Sequence, residues 1–146
     1  MAIFRCDRCS TMNRVADERV GQHPICGHCK ATLDPSGAPQ EVSADTFERA
    51  IAGSPVPVLV DFWAPWCAPC RTAAPVVADV AKRSAGRMLV LKLNVDDNQH
   101  AAAKHAVQGI PAFVLYHGGR EVGRRTGLAS RADLEAWVAQ TMRAAA

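Results

Sequence analysis

The sequence predicts an α/β protein: a central mixed sheet flanked by helices, preceded by a small cysteine-bearing segment. Three observations carry this. Short apolar runs alternate with amphipathic stretches from residue 44 onward, the pattern of strands and helices packed in layers. Near the C-terminus two such runs flank His117-Gly118-Gly119-Arg120, a hairpin signal, so part of the sheet is antiparallel. Cys6, Cys9, Cys26 and Cys29 crowd a stretch with few large apolar side chains.

The elements follow in order. Residues 1–33 are too small and too poor in apolar surface to fold unaided. Asp34-Pro35-Ser36-Gly37-Ala38-Pro39 is rich in turn formers and reads as a linker. The boundary is therefore placed between a finger with linker, 1–36, and a main domain, 37–146. Residues 44–52 form an amphipathic helix, with Phe47 and Ile51 on one face and Ser43 as N-cap. Residues 56–63 make a buried central strand. Residues 67–84 make a long helix in which Pro75 predicts a kink. A second buried strand at 88–95 and a short helix at 99–105 come next. Strands at 112–116 and 121–125 form the hairpin. A helix at 131–142 closes the chain, capped by Ser130, with Leu134, Trp137 and Val138 on its apolar face.

Composition narrows the classes of function. A chain of 146 residues, 49% hydrophobic, suits one ordinary domain with a small appendage. No apolar run reaches the ~18 residues of a membrane span, and the first residues lack the charged and apolar regions of a signal peptide. A cytoplasmic location is the expectation. The formal charge of +3 falls to about +1 if four thiolates hold one divalent ion. That balance does not suggest a nucleic-acid binder. No membrane partner is expected, and the chain is expected to be a monomer.

Two Cys-x2-Cys pairs, Cys6/Cys9 and Cys26/Cys29, are separated by sixteen residues. This spacing brings four thiolates around one tetrahedral zinc ion. A metal would supply the stability the segment lacks. Two structural disulfides are the competing reading, disfavoured in a reducing compartment. Gly27 suits a tight turn in the second knuckle. His23 and His28 flank that knuckle but are not needed as ligands.

The remaining cysteines stand in Trp66-Cys67-Ala68-Pro69-Cys70, between a strand and a helix. The unpaired amides and dipole of a helix N-terminus favour a thiolate at Cys67. Cys70 lies about one turn on and can close a disulfide with it. Pro69 fits the first turn, where a missing N–H costs nothing. A metal half-site or an inert pair is the alternative, but zinc needs four ligands and the other four cysteines already form a complete set.

Residues from about 40 to the end resemble thioredoxin. The likeness rests on Val60-Asp61-Phe62-Trp63-Ala64-Pro65-Trp66-Cys67-Ala68-Pro69-Cys70, then Lys92-Leu93-Asn94-Val95-Asp96, Gly109-Ile110-Pro111 and Thr126-Gly127. The four-cysteine start, with Met12-Asn13-Arg14-Val15, resembles the zinc-containing subclass called thioredoxin 2. The resemblance implies the thioredoxin fold with a small N-terminal four-cysteine zinc finger, and the activity of a protein disulfide reductase. Its partners would be thioredoxin reductase, which draws on NADPH, and disulfide-containing proteins.

It also implies roles. Cys67 would attack and Cys70 resolve. Asp61 would be the buried carboxylate that takes the proton of Cys70, with Lys92 beside it. An acid flanked by Val58, Leu59, Val60, Phe62 and Trp63 is in any case poorly placed for solvation. Pro111 would be a cis-proline facing the cysteines. Trp63, Trp66, Ala68, Pro69, Gly109, Ile110 and Gly127 would shape the docking surface, though Trp63 reads equally well as core. Two departures stand out: Ala68 replaces the common glycine, and Ala112 stands where threonine is frequent. An oxidant or isomerase on the same fold is one competing function. A zinc-dependent, redox-regulated chaperone or interaction module is the other.

Overall fold

The computed structural model describes residues 1–146. In chain order the elements are β1 (Ala2–Arg5), β2 (Met12–Val15), β3 (Gln40–Glu41), α1 (Ala44–Gly53), β4 (Val58–Trp63), α2 (Ala68–Arg83), β5 (Leu89–Asn94), α3 (Gln99–Lys104), β6 (Ala112–His117), β7 (Arg120–Thr126) and α4 (Arg131–Ala145). The main sheet has the order β3-β5-β4-β6-β7. β5 runs parallel to β3 and β4, while β6 runs antiparallel to β4 and β7, so the sheet is mixed.

Strand alternation divides the core. Val58, Val60 and Phe62 of β4, with Leu89, Leu91 and Leu93 of β5, face Phe47 and Ile51 of α1 and Ala101 of α3. Leu59, Val90, Phe113 and Leu115 face the other way, onto Val77 and Val80 of α2 and Leu134 of α4. Ser43 and Ser130 cap α1 and α4 through their side chains, as their positions before apolar periodicity predict. The hairpin turns on Gly118 and Gly119 with φ of 64° and 82°, a pair of left-handed residues that glycine accepts without a Cβ clash.

Pro75 lies inside α2, which continues through it to Arg83, matching the long helix expected over 67–84. The proline ring is exposed, so the carbonyl left without a donor on that turn faces water. The short strand β3 was not legible in the sequence, because two residues carry no periodicity. The N-terminal segment is also better built than its composition suggests. β1 and β2 pair antiparallel from Ala2↔Val15 to Arg5↔Met12, and Ala2, Phe4, Cys6, Val15, Cys26 and Leu33 form a small core.

That unit is docked on the main domain. The Ile3 N–H donates to the Gly86 carbonyl at 2.9 Å. Gly37, inside the supposed linker, lies so close to Ala85 that a Cβ on it would meet the Ala85 Cβ at 2.6 Å. Arg5 is 7% exposed; its guanidinium donates to Gln40 Oε1 at 2.7 Å, and Gln40 Nε2 returns a bond to the Arg5 carbonyl at 3.2 Å. The finger is thus held by packing and a two-way polar clasp onto β3.

Gly86 is the sensitive point of this contact. Its φ is +81°, and an added Cβ would meet the Ala2 Cβ at 2.6 Å. Gly86→Ala is expected to lower the opening free energy of β1 by at least the roughly 1–2 kcal/mol that left-handed backbone costs a residue with a Cβ. Hydrogen exchange at Ile3 and Phe4 measures this. Protection equal to the parent's would refute the docking contact.

Candidate active site and metal centre

β4 delivers the chain to the reactive pair. It ends at Trp63, and four residues later Cys67 stands as N-cap of α2 with φ −84° and ψ 107°. The Cys70 N–H points at Cys67 Sγ, 3.2 Å away, so an orphan helix amide is aimed at the sulfur. Cys67 and Cys70 are joined as a disulfide with a Cα–Cα separation of 5.2 Å. Cys67 is only 4% exposed. Ala68 and Pro69, in the first turn, are exposed beside it.

A second segment closes over the pair. The Ile110-Pro111 peptide is cis, and the Ile110 carbonyl oxygen lies 3.8 Å from Cys67 Sγ. Ile110 makes no backbone hydrogen bond of its own. Gly127, at φ 93°, donates its N–H to the Pro111 carbonyl at 2.8 Å and holds this loop down. Gly109 lies against Thr126, whose Cγ2 would be 3.2 Å from an added Cβ. Trp66 is 67% exposed, with its indole N–H donating to Asp96 Oδ2 at 2.9 Å. An exposed tryptophan held by its edge presents a broad apolar face to whatever approaches.

Asp61 is 1% exposed. It alternates with Val60 and Phe62, so it faces α2, the helix that opens on the two cysteines. Its strand neighbours are Lys92 on β5 and Phe113 on β6. Neither carboxylate oxygen has a hydrogen-bond partner in the protein. Burial therefore pushes its pKa up to about 7, against the opposing pull of Lys92 and with a further push from Glu41. The Lys92 ammonium lies over the Trp63 ring, 4.5 Å from its centroid. Trp63 is half-buried and donates its indole N–H to Glu41 Oε2 at 3.4 Å. Sequence reasoning missed Glu41, because only the pairing of β3 with β5 brings it here.

The four remaining sulfurs meet at a separate point. Cys6, Cys9, Cys26 and Cys29 place their Sγ atoms within 4.8 Å of one another. Cys6–Cys29 and Cys9–Cys26 are each 3.6 Å apart. That is far beyond a disulfide bond and close to the ~3.8 Å between sulfurs of a tetrahedral ion with Zn–S of about 2.3 Å. The donor set suits zinc. The two knuckles repeat one design. Ser10 and Lys30, after the second cysteine of each pair, adopt φ of 69° and 66° and return their N–H to Cys6 and Cys26. Gly27 is not the left-handed residue. Its N–H instead donates to Asn13 Oδ1 at 2.9 Å, which links the knuckles. The Cys26 thiol is pushed down to about 6, first by the Cys29 amide directed at it. His23 and His28 are exposed and outside the cluster.

With two closely placed thiols at a helix N-terminus, a facing cis-proline and a buried acid in place, comparison with known proteins is decisive. A family model described as Thioredoxin matches residues 38–140. The chain belongs to the thioredoxin family. A second model, Thioredoxin 2, N-terminal, matches residues 5–31, the zinc-ribbon part. The chain is 36% identical over 140 residues to Thioredoxin C-3 of Corynebacterium nephridii, covering 96% of this chain and 95% of that protein. It is 40% identical over 97 residues to Thioredoxin 1 of Nostoc sp., covering 66% of this chain and 91% of the relative. Thioredoxin of Alicyclobacillus acidocaldarius is 43% identical over 96 residues, 66% of this chain and 90% of its own. This thioredoxin is a thiol-disulfide oxidoreductase of the protein disulfide reductase type, built on Cys67–Cys70, with a zinc-ribbon segment of the thioredoxin 2 kind. No helix is long and apolar enough to cross a membrane.

Burial of Asp61 has a thermodynamic consequence. The folded protein binds its proton more tightly than the unfolded chain, so stability is lost as pH rises from the ordinary carboxylate range through about 7. Asp61→Asn removes that loss. It is expected to stabilise the protein above neutral pH by on the order of 3–4 kcal/mol, with the difference vanishing near pH ~4. Denaturant unfolding across pH checks this. A variant no more stable than its parent at pH ~8 would show that Asp61 is not desolvated.

Proposed function

We propose that this thioredoxin reduces protein disulfides with Cys67 as the attacking thiol and Cys70 as the resolving one. The observation that carries the assignment is the N-cap position of Cys67, with a helix amide directed at its sulfur. In the reduced protein the Cys67 thiolate attacks one sulfur of a substrate disulfide. That bond breaks, one substrate sulfur leaves as thiolate, and Cys67 is joined to the other. Cys70 then attacks Cys67 Sγ, the mixed disulfide breaks, and the substrate leaves as a dithiol. Two electrons pass to the substrate and the Cys67–Cys70 disulfide forms.

Cys70 must lose its proton for the second step. Asp61, on the sheet face that α2 covers, is the acceptor, and a proton affinity near neutrality suits the exchange. Lys92 tempers that affinity. Substrate lies across Trp66, Ala68, Pro69 and the segment Gly109 to Pro111, where the unpaired backbone of Ile110 can bond an extended chain. Trp63 and Gly127 support that surface from beneath.

The disulfide is reset by an NADPH-dependent thioredoxin reductase, and the site of action is cytoplasmic. Cys6, Cys9, Cys26 and Cys29 hold one zinc ion, which would tie the two knuckles together. Residues 1–36 and 37–146 act as the two functional units. Oxidation of the four thiols would release the metal. Arg5, next to Cys6 and clasped to Gln40, supports a regulatory reading of that event.

Insulin reduction with NADPH and thioredoxin reductase tests the mechanism. Cys67→Ser is expected to abolish turnover, and Cys70→Ser to accumulate covalent substrate adducts visible on non-reducing gels. Asp61→Asn should slow reduction most above neutral pH, where the parent's carboxylate is ionised. Appreciable turnover by Cys67→Ser would overturn the division of roles.

Metal analysis of anaerobically purified protein should give one zinc per chain, lost in Cys26→Ser. Chelation should expose residues 1–33 to protease while the main domain keeps its thermal transition and reductase activity. Zinc-free parent protein would refute the site.

A further inference from the structure

Three charged residues stand side by side across the edge of the sheet. Glu41 of β3 is in register with Lys92 of β5, and Lys92 with Asp61 of β4. Their strand neighbours Val42, Leu91, Leu93, Val60 and Phe62 point into the α1–α3 core, so all three lie on the α2-facing side. Trp63 links the row. Its indole edge donates to Glu41 at 3.4 Å, and its ring face carries the Lys92 ammonium at 4.5 Å. An open cavity lined by Glu41, Trp63, Asn94 and Asp97 adjoins this arrangement. The lysine beside the buried acid therefore has a second acid on its other flank, at the rim.

We propose that Glu41 is a positioning residue for proton transfer at Asp61, acting through Trp63 and Lys92; this rests on the Asp61 role given above. Glu41 fixes the indole edge, the indole face seats Lys92, and Lys92 sets the field that Asp61 experiences. The Glu41 charge also opposes that of Lys92 directly. The groups beside Asp61 on the neighbouring strands are Lys92 of β5 and the uncharged Phe113 of β6, and α2, which opens on the two cysteines, covers this face of the sheet. Those around Glu41 are Lys92 and, from the loop after β5, Asp97. The signs are definite: Lys92 favours the ionised form of Asp61, and Glu41 disfavours it. Removing the Glu41 charge makes Asp61 the stronger acid.

The experiment is a carbon NMR titration of the Asp61 carboxyl in the full-length reduced chain, paired with the pH profile of single-turnover disulfide reduction. Glu41→Gln keeps an acceptor for the indole and removes the charge; Glu41→Ala removes both. Glu41→Gln is expected to lower the Asp61 midpoint by on the order of half a pH unit. That is the size of a screened charge about 10 Å away, two strand spacings across the sheet. The limb of the rate profile that Asp61→Asn abolishes should move down with it, and added salt should shrink the shift. Glu41→Ala should in addition move the Trp63 indole N–H resonance. An unmoved Asp61 midpoint in Glu41→Gln, with the Asp61 limb intact, would overturn the role of Glu41 alone. A rate profile that Asp61→Asn leaves unchanged would instead overturn the proton-acceptor reading beneath it.

Discussion

The central strand β4 carries the constraint on which the rest depends. It pairs parallel with β5 on one side and antiparallel with β6 on the other, and every residue from Val58 to Phe62 is buried. An acid in such a strand cannot reach water. The same strand leads into α2, so one rigid element fixes both the buried acid and the helix N-terminus that holds the cysteines. Without the strand's double pairing, neither the desolvation of Asp61 nor the approach of the Cys70 amide to Cys67 would be maintained.

The rim of the site is built differently from its floor. The floor relies on apolar packing from both core layers. The rim is polar and partly exposed: Trp66 is held by Asp96 and Trp63 by Glu41. Polar edge contacts of this kind cost little to rearrange. The two tryptophans differ in consequence. Trp66 shows its face to solvent, while Trp63 turns its face to Lys92. Trp63 is half-buried, packed against Ala64, Cys67 and Cys70 and stacked under Lys92.

The N-terminal unit gains its order from three sources. Its own hairpin buries a few side chains, the sulfur cluster is shaped for zinc, and the main domain supplies Gly86, Ala85 and Gln40 as a seat. The clasp from Arg5 reaches β3 one residue before Glu41. A change in the cysteines and the charge row at the active site are thus neighbours through a two-residue strand.

Most of the architecture and the grouping of the six cysteines were legible in the amino-acid sequence. Apolar periodicity marked β4, β5, α1 and α4 to within a few residues, because burial on one face leaves a regular trace. Cys-x2-Cys spacing marked both sulfur sites, because each is a local turn whose geometry is set by adjacent residues. Whatever depends on pairing between distant segments emerged only in the folded molecule. β3 is visible only through its register with β5, and Glu41 becomes a neighbour of Lys92 only through that register. The seat of the finger depends on a close approach at Gly86 and Gly37, where what matters is an absent side chain. The turn role expected of Gly27 fell to Ser10 and Lys30, because the fold holds their φ positive through the returning N–H bonds of each knuckle. Periodicity records which face of an element is buried; it does not record which other element buries it.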